Sequence, residues 1–78
     1  MTEDPSINFA VKAIRQFLFE RPDSADTLEG IHRWWIVWPG EEESPLFTLT
    51  ALERLQAMGE VEQFVAGSNI LWRRKRQT

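Results

Sequence analysis

The chain has 78 residues, of which 42% are hydrophobic, and a formal net charge of −3 at neutral pH. A chain of this length folds as one domain around one core, for which its 4 Trp and 5 Phe residues supply large apolar surfaces. The absence of cysteine excludes a disulfide framework and a thiolate metal site.

The charges are divided unevenly along the chain. Residues 1–63 hold all 12 acidic residues but only 5 of the 9 basic ones, whereas residues 73–76 are all basic. We therefore expect the body of the domain to repel polyanions and its end to attract them. No secretory signal follows Met1, and the longest apolar run, Trp34 to Trp38, is too short to cross a bilayer. A cytoplasmic protein without a membrane role is expected.

The first predicted helix begins at 4–6 and ends at 20–21, because Pro22 disfavours a helical conformation in the residue before it. Phe9 and Phe19 lie off its apolar stripe, and one of them is expected to be partly exposed. The stripe itself recurs at spacings of three and four residues and comprises Ile7, Ala10, Val11, Ile14, Phe17 and Leu18.

A second helix is predicted from Asp26, which has Glu29 three residues later in a pattern that resembles a capping box. Pro39 closes this segment, and His32 is expected to lie half exposed on it. The inner line of the helix comprises Leu28, Ile31 and Trp35.

The third helix is predicted to begin between Ser44 and Thr48 and to end at Gly59, which fits the left-handed residue that commonly terminates a helix. Its inner stripe comprises Leu49, Leu52, Leu55 and Met58, supported by Ala51. Its outward residues comprise Thr48, Thr50, Glu53, Arg54 and Ala57.

A two-stranded hairpin closes the chain. The pair Gly67-Ser68 suits a two-residue type II′ turn, in which glycine takes the positive φ at the first position. That turn pairs Phe64 with Leu71 and Glu62 with Arg73. A lone hairpin is not stable in water, so it must lie on the helices.

The chain resembles the winged-helix family in its order of elements, and small uncharacterised bacterial members in Asp26-Thr27-Leu28-Glu29-Gly30 followed by Trp34-Trp35. The resemblance covers nearly the whole chain. It implies an α+β, mostly α fold: three helices followed by a two-stranded antiparallel β-hairpin. One domain over 1–78 is expected, with frayed ends at about 1–4 and 75–78. A short extra strand at 36–38 or 46–47 could pair with the hairpin. The expected core comprises Ile7, Val11, Ile14, Leu18, Leu28, Ile31, Trp35, Leu52, Leu55, Val61 and Trp72.

The resemblance implies binding rather than catalysis, since members of the family bind duplex DNA, RNA or other proteins. An enzyme is not expected, because His32 is the single histidine and the acidic residues cluster in solvated loops. Glu41–Glu43 do not point at one centre, so no metal site is predicted there. No cofactor or small-molecule substrate is evident.

A DNA-binding transcriptional regulator is one of two functions that stay open. In the common mode the third helix enters the major groove and the hairpin follows the backbone. The candidate contacts are Thr48, Thr50 and Arg54 on the helix, and Arg73, Arg74, Lys75 and Arg76 at the end of the wing. Against this mode, Glu41–Glu43 lie just before the helix, which carries one base. The basic run is also explained as a solvated end that guards an edge strand.

A protein-interaction or adaptor module is the function that the sequence narrowly favours. Adjacent helical residues lie about 100° apart, so Trp34 and Trp35 cannot both face the core centre. With Trp35 and Trp72 assigned to the core, an exposed tryptophan beside apolar residues is a typical interface anchor. We expect a docking or self-association surface comprising Trp34, Ile36, Val37 and Trp38. Packing of these residues beneath the hairpin or the long loop is the alternative.

Overall fold

A computed structural model describes residues 4–76, and it has the α+β architecture predicted from the sequence. In chain order the elements are α1 (Pro5–Glu20), β1 (Ala25–Asp26), α2 (Leu28–Gly30) with a π-helical continuation (Ile31–Trp35), α3 (Pro45–Ala57), β2 (Val61–Ala66) and β3 (Asn69–Arg74). This order is compatible with a winged-helix-like fold and has one strand more than predicted. Within residues 4–76, none of the helices combines the length and apolar character needed to cross a membrane.

Both ends of the described range are held by specific hydrogen bonds. Asp4 caps α1, because its Oδ1 accepts the Ser6 N–H at 2.8 Å. At the other end, the Lys75 N–H donates to the Glu60 carbonyl oxygen at 3.0 Å. Regular bonding therefore reaches residues 4 and 75, and the predicted fraying of 1–3 and 77–78 lies outside the described residues.

The start of α2 differs from the prediction by one residue. Thr27 is the N-cap, and its Oγ1 accepts the Gly30 N–H at 3.2 Å. Asp26 instead belongs to β1, where it pairs with Trp72, and its carboxylate accepts the Thr27 N–H at 2.7 Å. The capping box predicted from Asp26 is therefore wrong, because the strand fixes the backbone of this residue.

The second helix also ends earlier than predicted. After Gly30 it widens into the π-helical turn, and Ile36 is already extended, with φ −112° and ψ 123°. Pro39 therefore lies beyond the end of the helix. The π-helical turn buries His32 as well as Ile31 and Trp35, so the prediction of a half-exposed histidine is wrong.

The start of α3 agrees with the predicted range. Ser44 is the N-cap, and its Oγ accepts the Leu46 N–H at 3.2 Å, with Pro45 in the first turn. The buried stripe is shifted from the predicted one and comprises Thr48, Ala51, Leu52 and Leu55. Met58 is 52% exposed, so its assignment to the inner stripe is wrong. Gly59 ends the helix with φ +77°, as predicted.

The sheet has the strand order β1-β3-β2, with antiparallel pairing throughout. The hairpin register is confirmed, including Phe64 opposite Leu71 and Glu62 opposite Arg73, and Gly67 has φ +65°. The third strand is not the one predicted. Residues 36–38 are outside any described strand and 46–47 belong to α3, whereas Ala25–Asp26 pair with β3.

The core lies between α1, α3, the π-helical turn and the inner face of the sheet. Most of the predicted core is confirmed, although Ile7 and Leu28 are only partly buried. Ile36, which the sequence analysis placed on a surface, is 2% exposed. The buried apolar residues are Ala10, Val11, Ile14, Leu18, Ile31, Trp35, Ile36, Ala51, Leu52, Leu55, Val61 and Trp72.

Candidate functional site

The four residues of the predicted surface lie at the end of the π-helical turn and just after it, and they form an outer and an inner pair. Trp34 is 75% exposed and Val37 is 83% exposed, whereas Ile36 is buried and Trp38 is partly buried against the core. Because the chain is extended from Ile36 onward, successive side chains point to opposite sides. The exposure that such a surface requires is therefore found for Trp34 and Val37, whereas Ile36 is buried and Trp38 is partly buried, contrary to the prediction.

The inner pair serves the packing of the domain. The Trp38 Nε1–H donates to the His32 carbonyl oxygen at 3.2 Å, and its ring lies 5.3 Å from the His32 ring. Phe9 also lies near this indole, with ring centroids 5.9 Å apart. These contacts commit Trp38 to the interior of the fold and leave Trp34 as the available tryptophan of this segment.

The outer pair forms one wall of a groove along α1 with a volume of about 650 Å³. We call it the aromatic groove and define it by Phe9, Ala13, Phe17, Trp34, Trp35 and Val37. Phe17 and Trp35 stack within it, with ring centroids 4.4 Å apart and ring planes inclined by 11°. Its polar rim contains Lys12, Gln16, Glu20 and Arg21.

The contribution of α1 to this surface was not predicted from the sequence. Phe9, Ala13 and Phe17 follow one another at a spacing of four residues, which aligns them in a second apolar row beside the buried stripe. The apolar stripe predicts Phe17 in the core and places Phe9 off the stripe. The spacing of four was the signal that could have joined them.

The DNA-contact residues predicted on the third helix are engaged within the domain. Thr48 is fully buried, and its Oγ1 lies 2.6 Å from His32 Nδ1, so its outward assignment is wrong. The Thr50 hydroxyl donates to the Leu46 carbonyl oxygen at 2.9 Å. Arg54 donates to Asn8 Oδ1 at 3.1 Å. A base edge would have to displace the contacts of Thr50 and Arg54.

His32 has one firm polar contact, although both ring nitrogens lie near polar atoms. Its side chain is 2% exposed, and Nδ1 is in hydrogen-bonding distance of the Thr48 hydroxyl. Nε2 lies 3.2 Å from Glu42 Oε2 but makes no hydrogen bond with any described residue. The Glu42 carboxylate is therefore near Nε2 but not aligned for a hydrogen bond with it. No group of three or more His, Asp or Glu side chains within residues 4–76 could hold a metal ion.

The basic end of the wing is only partly engaged. Arg73 Nε donates to Glu62 Oε2 at 2.8 Å, as the predicted register requires, and its guanidinium lies 4.2 Å from the Phe64 ring centroid. Arg74, Lys75 and Arg76 are exposed. The turn at 66–69 contains no basic residue, so these cations lie at the end of the hairpin opposite its turn.

Comparisons with protein-family models, with curated proteins and with solved structures gave no match to this chain.

Proposed function

We propose that the domain is a non-catalytic winged-helix module that binds a protein partner, or a second copy of itself, through the aromatic groove. The observation that carries this proposal is the exposure of Trp34 in the wall of that groove, beside an equally exposed Val37. Exposed aromatic residues in an apolar groove with a polar rim are typical of protein interfaces. The absence of cysteine fits a cytoplasmic setting for this role.

The residues beneath Trp34 support a role as an anchor. Its neighbour Trp35 is stacked on Phe17, and Ile36 is buried in the core, so the backbone on both sides is fixed. A partner that covers the indole therefore has little backbone ordering to offset. Burial of a side chain this exposed contributes on the order of 2 kcal/mol to binding.

The lining of the groove favours an amphipathic partner. One wall is the exposed face of a four-turn helix, and its rim offers Lys12 and Arg21 together with Glu20. Arg21 already lies over the Phe17 ring, with its guanidinium carbon 5.0 Å from the ring centroid. Such a groove suits the apolar stripe of a helix flanked by charged residues of both signs.

Duplex DNA is the alternative ligand, and the placement of charge disfavours it. Thr48 is buried, Thr50 and Arg54 are hydrogen-bonded within the domain, and Glu41–Glu43 precede α3. The cations left for phosphate contacts lie away from the wing turn. Phosphate neutralisation dominates affinity for DNA, so this arrangement supports little of it.

The proposal is tested by site-specific cross-linking in cells with a photoreactive phenylalanine analogue in place of Trp34. The matched control places the same analogue at Ile70, which is 55% exposed on the hairpin. We expect discrete adducts at position 34, each identified by mass spectrometry, and a loss of those adducts when Val37→Asp is added. An adduct with the chain itself identifies self-association, which sedimentation over a range of concentrations then measures.

A titration with random duplex DNA at low salt separates the two functions. The protein-interaction proposal predicts no amide shifts on α3 or on the hairpin under these permissive conditions. Shifts concentrated on α3, together with equal cross-linking at positions 34 and 70, would overturn it in favour of the DNA-binding alternative.

A further inference from the structure

A second groove, of about 780 Å³, lies where the carboxyl half of α1 meets the end of β3. It shares Lys12 and Gln16 with the aromatic groove, so these two residues form a ridge on α1 between the two. The turn from α3 into β2, at Gly59 and Glu60, closes one end. We call it the basic groove because of the side chains around it.

The floor of the basic groove is apolar. Leu18, Leu55 and Val61 line it, and each is at most 5% exposed. Phe19 stands at its edge with 82% of its surface exposed, which is the highest exposure among the aromatic residues described. Most of the apolar surface that a ligand in the groove would meet therefore belongs to Phe19.

The rim carries an excess of positive charge in a chain whose net charge is negative. Its basic residues are Lys12, Arg15, Arg74 and Lys75, and its acidic residue is Glu60. Arg15 and Glu60 neutralise each other through two contacts of 2.8 and 2.7 Å. Lys12, Arg74 and Lys75 are exposed, and no ion pair within the described residues engages them.

The position of these cations is fixed by the fold. The hydrogen bond from the Lys75 N–H to the Glu60 carbonyl oxygen extends the β2–β3 ladder past Arg74. Arg74 pairs with Val61, which belongs to the groove floor. Directly paired residues have their side chains on the same face of a sheet, so Arg74 lies on the face that lines the groove. Up to residue 75, the basic segment is therefore hydrogen-bonded into the sheet and forms part of the groove wall.

We propose that the basic groove binds an acidic segment of a partner protein that also carries an apolar side chain. Carboxylates of the partner meet Lys12, Arg74 and Lys75, and its apolar side chain packs on the Phe19 ring. Charge complementarity of this kind sets the orientation and the association rate, while the apolar contact supplies affinity. This binding site shares only Lys12 and Gln16 with the aromatic groove, and its other lining residues are separate.

An acidic peptide fits the groove better than a nucleic acid does. A phosphate backbone has no apolar side chain to place on Phe19, and Arg15 is already held by a carboxylate. The acidic body of the domain, including Glu41–Glu43, also repels an extended polyanion more than a short segment. Duplex DNA is kept as a competing outcome of the test.

The probe is a short fluorescein-labelled peptide with one leucine after every two glutamates. Its binding is measured by fluorescence anisotropy at low salt. We expect Arg74→Glu to weaken binding about tenfold, because a like charge replaces a contact with the partner. Arg33→Glu makes the same charge change at an exposed position outside the groove, and we expect an effect within about twofold. Replacement of leucine by serine in the peptide should weaken binding to the unmodified protein about tenfold.

Three results would overturn the proposal: no binding by the unmodified protein, equal losses for Arg74→Glu and Arg33→Glu, or tighter binding of duplex DNA than of the peptide. Thermal unfolding followed by circular dichroism checks whether Arg74→Glu reduces folding. If it does, the serine peptide still tests the proposal, because it is measured with the unmodified protein. Trp34→Ala should leave peptide binding unchanged. The peptide measurements therefore test the basic groove separately from the aromatic groove.

Discussion

The Thr48 hydroxyl and the His32 imidazole meet in the interior of the domain, with Oγ1 and Nδ1 2.6 Å apart. Both side chains are almost fully buried, and they come from different elements: His32 from the π-helical turn and Thr48 from the first half of α3. The contact therefore links the π-helical turn, which carries Trp34, to α3. Buried polar groups that lose such a partner retain their desolvation cost.

Thr48→Val should lower the free energy of unfolding by about 1–3 kcal/mol, because the variant keeps the shape of threonine but leaves His32 Nδ1 without its partner. Thr48→Ser keeps the hydroxyl and loses one methyl group, so we expect a smaller loss of about 1 kcal/mol. Urea unfolding followed by circular dichroism measures both values. Equal losses for the two variants would mean that the hydrogen bond adds nothing to stability.

Gly30→Ala should destabilise the domain by about 1–3 kcal/mol, because a methyl group there would overlap the Asp26 carboxylate. The carboxylate cannot move away without losing its hydrogen bond with the Thr27 N–H. Adding Asp26→Ala to Gly30→Ala removes the overlap, so the double variant should be more stable than the two separate losses predict. Additive losses in a thermal unfolding series would contradict this account.

Glu60 should give the domain a pH-dependent contribution to stability. The Arg15 guanidinium hydrogen-bonds to this carboxylate and lowers the pKa of Glu60 below its ordinary value of 4.5. A lowered pKa in the folded state means that the contribution is present above the unfolded-state pKa and is lost as the pH falls through the folded-state value. Since both side chains are more than one-third exposed, we expect only about 0.2–1 kcal/mol at neutral pH.

Urea unfolding of Glu60→Gln at neutral and at acid pH measures this contribution. The variant should be less stable than the unmodified protein near neutral pH, and the difference should disappear in acid, where Glu60 is protonated. Glu53→Gln, at an exposed position of α3, is the matched control and should show no such change. A difference that persists in acid would assign the effect to side-chain packing.

Gly67→Ala should cost about 1–2 kcal/mol, because the hairpin turn holds Gly67 at φ +65°, where an L residue is strained. Gly40→Ala is the matched control: its φ is not positive, and a methyl group there would meet open space. We expect that variant to be within about 0.5 kcal/mol of the unmodified protein. Thermal unfolding of both variants decides whether the turn conformation is the cause.

The hairpin could be predicted in full because its information is local. Two residues suited to a tight turn separate two apolar runs, and the side-chain period of two then fixes every pair, including Glu62 with Arg73. The third strand could not be predicted in this way. Ala25 and Asp26 show no alternating pattern, and their pairing depends on how the turn after α1 meets β3 in space.

The exposed residues around Trp34 were predicted in part, and the reason lies in the length of the second helix. A helix continued to Pro39 places Trp34, Ile36, Val37 and Trp38 by helical spacing. The π-helical turn ends at Trp35, and the extended chain that follows turns Ile36 and Trp38 inward. Five residues of sequence do not distinguish a π-helical turn from the end of an α-helix.

Thr48 is predicted from the sequence to face outward, although its spacing along α3 places it on the buried side. It precedes Ala51, Leu52 and Leu55 by three, four and seven residues, so helical geometry puts it on the buried stripe. A buried threonine there requires a polar partner from another element. That partner, His32, is provided by a turn whose geometry the sequence does not reveal.

The pairing of β1 with β3 has a consequence for the order in which the chain folds. Ala25 and Asp26 pair with Arg73 and Trp72, which follow them in the chain only after α2, α3 and β2. A two-residue strand has no template until the hairpin exists, and closing so large a loop is entropically costly, so this strand should join after the folding transition state. During synthesis the turn after α1 must therefore wait until β3 has left the ribosome before it can assume its final conformation.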